Sequence, residues 1–293
     1  MIDARDHLIH HGLVAADAAL QVTALTGGYW NTVSRVQGAG LDWVVKVFAD
    51  QVGWVLFPIL PDDEARALQV LAGCGVAPDL VAFQPKTAAL PAVLVYQWVD
   101  GPMWTQDVAP VASLFRRLHA VVTDGFRSVP TSADGICEQG DRLLAAADPS
   151  DQRRLAALRP STLVPPARRR VLIHTDAGPG NVIVSADGPR LIDWQCPALG
   201  DAAEDLFTFL SPAFQVLYGC EPLSPAEREA MLAAYDDPSV LARLSALAPA
   251  LTYRMGAYCA ARRRALAAAD EAAADRYARA LDLSLADLHE GPR

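Results

Sequence analysis

The chain has 293 residues, of which 52% are hydrophobic and 20% charged, with a formal net charge of −9. That length and apolar content can bury a core across two lobes and exclude a disordered chain, while the acidic balance argues against nucleic acid or an anionic membrane as partner. The N-terminus lacks a signal-peptide core, no run approaches the ~18 apolar residues of a membrane span, and five scattered cysteines without a CxxC pair argue against a disulfide framework or structural zinc, so a cytoplasmic protein acting on small molecules is expected.

Residues Asp3 to Leu20 predict one or two short helices. The spacing of His7, His10 and His11 allows two imidazoles to meet, but with no acidic or Cys ligand beside them a solvated face is the better reading than a metal site. Two extended runs, Val22 to Leu25 and Thr32 to Val36, flank a turn containing Gly27, Gly28 and Asn31, where backbone amides can approach phosphates. By itself that turn is no better than an ordinary hairpin.

Gly38, Ala39 and Gly40 make a second turn into a strand from Trp43 to Phe48 that carries Lys46. The chain has two lysines against twenty-three arginines, so a compact ammonium on a strand suggests binding of phosphates. After an apolar and aromatic loop, Pro61 to Gly73 predicts a helix, with Asp62 and Asp63 at its N-terminus, Leu68 and Leu71 on one face and Gly73 as its stop. Leu80 to Phe83 and Ala92 to Gln97 complete a small antiparallel sheet of about five strands. Tyr96 to Pro102 reads as a strand exit followed by breakers, which divides the chain into a lobe at 1–97, a hinge at 98–102 and a helical lobe at 103–293. Apolar periodicity predicts a helix over Asp107 to Val122, with His119 near its end in a packing or capping role. Shorter helical pieces are expected at Gln139 to Ala147 and Gln152 to Leu158, and Arg168 to Arg170 read as a solvated basic edge.

The most informative stretch runs from Val171 to Leu206. Val171 to Ile173 predicts a strand, His174 to Gly180 a tight loop and Val182 to Val184 a second strand. The turn formers Ser185 to Gly188 then return the chain to Asp193. Asp176, Asn181 and Asp193 thereby converge. Two carboxylates and an amide oxygen are hard ligands suited to Mg²⁺ that shares its shell with phosphate, which points at a nucleotide. Asp176 precedes Asn181 by five residues and Asp193 by seventeen, the order in which kinases place the residue that accepts the hydroxyl proton and the two that hold metal. Loops of Asp, Gly, Pro and Asn are common turns; the returning hairpin decides for chemistry.

With His174-x-Asp176, Asn181, Ile192-Asp193-Trp194 and Gly200-Asp201 followed by Asp205-Leu206, the stretch resembles the aminoglycoside phosphotransferase and choline kinase family. The resemblance implies an α+β, bilobal protein-kinase-like fold with a small antiparallel β N-lobe, one main helix and a mostly helical C-lobe. It implies ATP-dependent transfer of the γ-phosphate to a hydroxyl of a small molecule. Asp176 would then be the catalytic base, with Asn181 and Asp193 catalytic and holding Mg²⁺. Lys46 would bind the α and β phosphates, held by Glu64 with Asp63 as the competing partner. Gly27, Gly28 and Asn31 would cover the phosphates, and the backbone at Gln97 and Trp98 would meet the adenine edge. His174 and Asp205 would support the loop. Protein kinase activity is the weaker reading, because Gly178 stands where protein kinases place lysine, Asp193 is followed by Trp194 and Gln195, and no Ala-Pro-Glu segment follows. A catalytically dead nucleotide-binding scaffold would be expected to lack the lysine or an aspartate, and neither is missing. Thr175 and Gln195, where relatives often have Glu, depart from the family's pattern.

Ser224, Pro225 and Glu227 predict a capping box at a helix start. From Asp193 to Arg293 there are 15 acidic and 9 basic residues, a net of −6. That field favours a cationic acceptor, with Trp194, Tyr253 and Tyr258 offering ring faces to an ammonium group, so an amine-bearing alcohol is expected ahead of a neutral sugar.

Overall fold

The computed structural model describes residues 4–25, 31–51 and 55–291. Gly27 and Gly28 lie outside the described residues. The chain opens with α1 (Ala4–His10), β1 (Gln21–Ala24), β2 (Thr32–Gly38), β3 (Leu41–Val47), α2 (Pro61–Val70), β4 (Leu80–Gln84) and β5 (Val93–Gln97). The strands form one antiparallel sheet in the order β1-β2-β3-β5-β4. Successive strand residues face opposite sides, and the alternation sorts two clusters. Val36, Val45, Val93 and Val95 pack under Leu8 of α1, while Val44, Leu94 and Tyr96 share a cluster with Leu68 of α2 and Leu71 at its C-cap. Lys46 shares the second face with Val44, which is why a lysine comes to be only 2% exposed. Pro61 at the first turn and the acidic Asp62, Asp63 and Glu64 start α2 as expected.

Beyond β5 the chain is helical around one small β island: α3 (Ala109–His119), α4 (Ala133–Leu144), α5 (Pro149–Ala156), β6 (Val171–Ile173), β7 (Val182–Ser185), β8 (Gly188–Leu191), β9 (Ala198–Gly200), α6 (Ala202–Leu210), α7 (Pro212–Leu217), α8 (Pro225–Tyr235), α9 (Pro238–Leu266) and α10 (Glu271–Glu290). A 3₁₀ turn, Pro179–Asn181, leads into β7. The long α9 packs against α4, α6 and α10 and forms the spine of this part. The capping box at Ser224 and Glu227 is formed. Helix α4 starts six residues before the expected Gln139, because Ser132 accepts from the Gly135 amide at 3.2 Å and caps it. Strand β9 was not expected; it pairs with β6.

The β7–β8 hairpin is joined to the rest of the chain on both sides. Val184 donates to the Pro102 carbonyl and Trp104 to the Val182 carbonyl, so the segment after β5 pairs with β7. This close approach needs Gly101, at φ 148°, where a Cβ would lie 2.3 Å from the Val184 carbonyl oxygen. Leu191 donates to Val76 behind α2, and Leu60, just before α2, donates to Gln195. The sheet and the hairpin therefore meet with α2 between them. Among the described residues no helix is long and apolar enough to cross a membrane.

Candidate active site

Lys46 is the centre of the junction between sheet and hairpin. Its ammonium lies 2.9 and 2.7 Å from the two Glu64 oxygens and 2.5 Å from Asp193 Oδ1. Glu64 is thus the partner on α2; Asp63 is half-buried next to it and within electrostatic reach of Arg66 and Arg127. Burial alone would lower the Lys46 pKa, but the carboxylates of Asp193 and Glu64 outweigh it and hold the ammonium protonated. The Glu64 side chain is 1% exposed and the Asp193 side chain 37%, so the triad has a closed end on α2 and an open end at Asp193.

The loop after β6 is held by a buried carboxylate. Asp205, in the first turn of α6, accepts the backbone amides of His174 and Thr175, each at 2.9 Å. Thr175 has φ 68° and Asp193 φ 60°, a left-handed conformation costly for a β-branched residue and paid in contacts on the spot. The Thr175 hydroxyl donates to the Cys196 carbonyl at 2.9 Å, which ties the loop to the segment behind Asp193. His119 extends the brace: its ring nitrogens lie 3.2 Å from Asp205 Oδ2 and 2.9 Å from the Tyr235 hydroxyl. His174 is fully buried, bonded through Nε2 to the Ile192 carbonyl at 2.9 Å and set edge-on to Trp194. Burial lowers its pKa, so it supports the hairpin as a neutral ring.

Asp176 and Asn181 stand at the open side of this loop. The Asn181 amide nitrogen donates to the Asp176 carbonyl at 2.8 Å and to the Tyr218 hydroxyl at 3.0 Å. Tyr218 in turn donates to Asp176 Oδ1 at 2.8 Å. Burial pushes the Asp176 carboxyl up to about 7, with the Tyr218 hydrogen bond pulling the other way. Because both N–H groups of Asn181 are engaged, its Oδ1 is left as an oxygen donor, and Asp193 likewise keeps one oxygen clear of Lys46. One amide oxygen and one carboxylate suit a hard cation that completes its shell with water and phosphate. Asn181 Oδ1 and Asp193 would hold such an ion, which would supply positive charge to offset the negative charge of phosphate. Among the described residues no group of three or more His, Cys, Asp or Glu forms a self-sufficient metal site, the His7, His10 and His11 run included.

The other expected nucleotide contacts are placed as follows. Asn31 accepts from the Ala49 amide at 3.1 Å and donates to Gln195 Oε1 at 3.0 Å, so its side chain tethers the start of β2 to the segment after Asp193. The amides of Gln97 and Trp98 donate to the Asp79 and Asp42 carbonyls, and the Trp98 ring is covered by Arg35 at 3.9 Å. Any adenine contact made by Gln97 or Trp98 must then use groups other than these two N–H donors. Two of the three expected ring faces are not at the site. Trp194 is wholly buried with its indole N–H on the Leu191 carbonyl, and Tyr253 is buried between α9 and α4 with its hydroxyl on Asp141. Tyr258 is within electrostatic reach of Asp176, and it packs edge-on against Phe57 and Tyr277, with Phe214 also edge-on to Phe57. Tyr218, Phe57 and Phe214 were missed by sequence reasoning. For Tyr218 a signal existed in Gly178 and Gly180, which leave room for its ring.

A sheet lysine paired to a helix glutamate, facing a hairpin that presents Asp176, Asn181 and Asp193, defines a small-molecule phosphotransferase of protein-kinase-like architecture. The chain belongs to the phosphotransferase enzyme family, whose match spans residues 21–247. No curated protein matches it. Similar folds are found in a choline/ethanolamine kinase family protein from Mesorhizobium loti (18% identity, 98% of each chain, TM-score 0.65) and an ethanolamine kinase from Plasmodium vivax (13% identity, 98% of this chain and 88% of that one, TM-score 0.66). A spectinomycin phosphotransferase crystallised with ADP and spectinomycin is also similar (14% identity, 91% of this chain and 92% of that one, TM-score 0.64).

Proposed function

We propose that the protein transfers the γ-phosphate of ATP, bound with Mg²⁺, to a hydroxyl of a small amine-bearing alcohol. The observation that carries the reading is the 2.5 Å contact of Lys46 with Asp193 at the open end of the Lys46–Glu64 pair. It sets an ammonium suited to phosphate beside a carboxylate suited to a metal, with Asp176 and Asn181 on the adjoining loop. In this reading Asp193 and Asn181 hold the metal, Lys46 holds the phosphates, and the glycine turn at 27–28 with Asn31 behind it closes over them. Asp176 orients the acceptor hydroxyl and takes its proton. The division into lobes at 98–102 would let the sheet move relative to the hairpin. Since phosphoryl transfer has a loose transition state, positioning and charge neutralisation supply most of the catalysis.

The amine preference rests on the net charge of −6 over Asp193 to Arg293 and on Tyr258, which is within electrostatic reach of Asp176 and packs edge-on against Phe57. Ethanolamine and spectinomycin, named for the neighbours, are natural first compounds. A second reading, a neutral hydroxylated acceptor, is favoured by Arg262, whose guanidinium lies 5.7 Å from the centre of the Tyr277 ring that packs against Tyr258. Competition between matched amine and neutral analogues in a kinase assay, at low and high salt, separates the two. Better turnover of every neutral analogue, with no salt dependence, would overturn the amine preference.

A further inference from the structure

We propose that Tyr218 is a positioning residue of the phosphoryl-transfer site: its hydroxyl locks Asp176 to Asn181 and leaves Asp176 Oδ2 as the oxygen that receives the acceptor's proton. The proposal deepens the reading above and rests on it.

The directions of the hydrogen bonds follow from the inventory of donors. An amide nitrogen can only donate, so the Asn181 contact at 3.0 Å uses a lone pair of the phenol. The single phenolic proton is then free to go to Asp176 Oδ1, 2.8 Å away. The other Asn181 N–H is on the Asp176 carbonyl at 2.8 Å. Turning the Asn181 amide over would break both bonds at once, so Tyr218 and the loop together hold Asn181 Oδ1 in place as the acceptor. With Oδ1 of Asp176 occupied, Oδ2 is the oxygen left for the incoming alcohol. As the new O–P bond forms, the alcohol proton passes to Oδ2 and ADP leaves with the electron pair of the broken P–O bond.

The ring is seated as firmly as the hydroxyl. A Cβ on Gly178 or on Gly180 would lie 2.1 Å from ring carbons of Tyr218, so the ring covers both glycines of the Gly178-Pro179-Gly180 turn. Gly178 has φ −78°, open to any residue, so space and not backbone freedom demands glycine there. Tyr218 itself is the C-cap of α7, forty-two residues from Asp176. Helix α7 thereby reaches a loop with which it shares no sheet or helix.

The test uses the full-length protein and two variants that disturb the lock differently. Tyr218→Phe keeps the ring on the glycines and removes both hydroxyl bonds. Gly180→Ala keeps the hydroxyl and pushes the ring aside. Read-outs are thermal midpoint, ATP turnover with ethanolamine or with water as acceptor, and the Mg²⁺ concentration that half-saturates ADP binding by calorimetry. Each variant is expected to stay folded, to lose about tenfold in turnover and to need about tenfold more Mg²⁺, the usual scale for groups that orient metal ligands. Combined with Asp176→Asn, the Tyr218→Phe change is expected to add less than about twofold in turnover, because the two act as one unit. Wild-type turnover and wild-type Mg²⁺ dependence in either variant would overturn the proposal, as would losses that multiply in the double variant. Equal turnover in the wild type and Asp176→Asn would instead overturn the functional reading, and the proposal with it.

Discussion

The Lys46 ammonium lies 2.5 Å from Asp193 Oδ1 across 147 residues of sequence. It joins the central sheet to the segment that follows the β7–β8 hairpin, and Glu64 completes the pair from the helix side. Lys46→Ala leaves Glu64 buried without its cation, which typically costs about 3–5 kcal/mol. A marked fall in thermal midpoint together with loss of productive ATP binding is the expected outcome. Lys46→Met with Glu64→Leu should recover much of the stability, since a buried pair replaced by apolar groups is often neutral, yet recover no activity. Activity in the double variant would remove Lys46 from the phosphate site.

Asp193→Ala is predicted to abolish the Mg²⁺ dependence of nucleotide binding while the protein stays folded. Calorimetric titration of ADP with and without Mg²⁺ checks this. Identical affinities in the wild type under the two conditions would remove the metal from Asn181 and Asp193.

Asp205→Ala should be far more harmful than its distance from the reacting atoms suggests. It strips the acceptor from two buried amides, His174 and Thr175, and from His119. A buried donor left unsatisfied costs about 1–3 kcal/mol each, and Thr175 must also keep its positive φ without support. Denaturant unfolding should show a loss of several kcal/mol. A loss under about 1 kcal/mol would mean the brace is not needed.

Turnover is predicted to have an acidic limb near neutrality. Burial pushes Asp176 up to about 7, and the carboxylate must be ionised to receive a proton. Below that pH the protonated form dominates, and kcat/KM should fall about tenfold per pH unit; above it the rate levels. A profile flat down to pH 5 would place the controlling group elsewhere.

The convergence of the candidate site residues was legible in the sequence where it is local. Asp176, Asn181 and Asp193 flank one hairpin, so spacing and turn residues bring them together without knowledge of the rest of the chain. Lys46 stood out because this chain otherwise uses arginine, and the sheet's alternation of faces sets it inward. The partner Glu64, given by resemblance and not by spacing, could be separated from Asp63 only once the turn of α2 was known. Contacts between distant elements left weaker traces. Tyr218 comes from a stretch with no motif, and its mark was indirect, in two glycines forty residues earlier. Trp194 and Tyr253 were misassigned to the acceptor because an aromatic residue in an acidic segment does not reveal which side it faces. Their polar atoms found partners in the interior, at Leu191 and Asp141, and both rings are buried.

The central claim is that Asp176 accepts a proton from a small-molecule hydroxyl as the phosphate of Mg²⁺-bound ATP is transferred. Mass spectrometry of the acceptor after incubation with ATP, Mg²⁺ and a panel of amine-bearing and neutral alcohols tests it most directly, with the wild type and Asp176→Asn side by side. The account predicts a phosphate ester on at least one alcohol with the wild type, absent without Mg²⁺, and formed at least ~10² more slowly by Asp176→Asn while ADP affinity stays within a few-fold. A phosphate ester formed by Asp176→Asn at the wild-type rate, or without Mg²⁺, would contradict it.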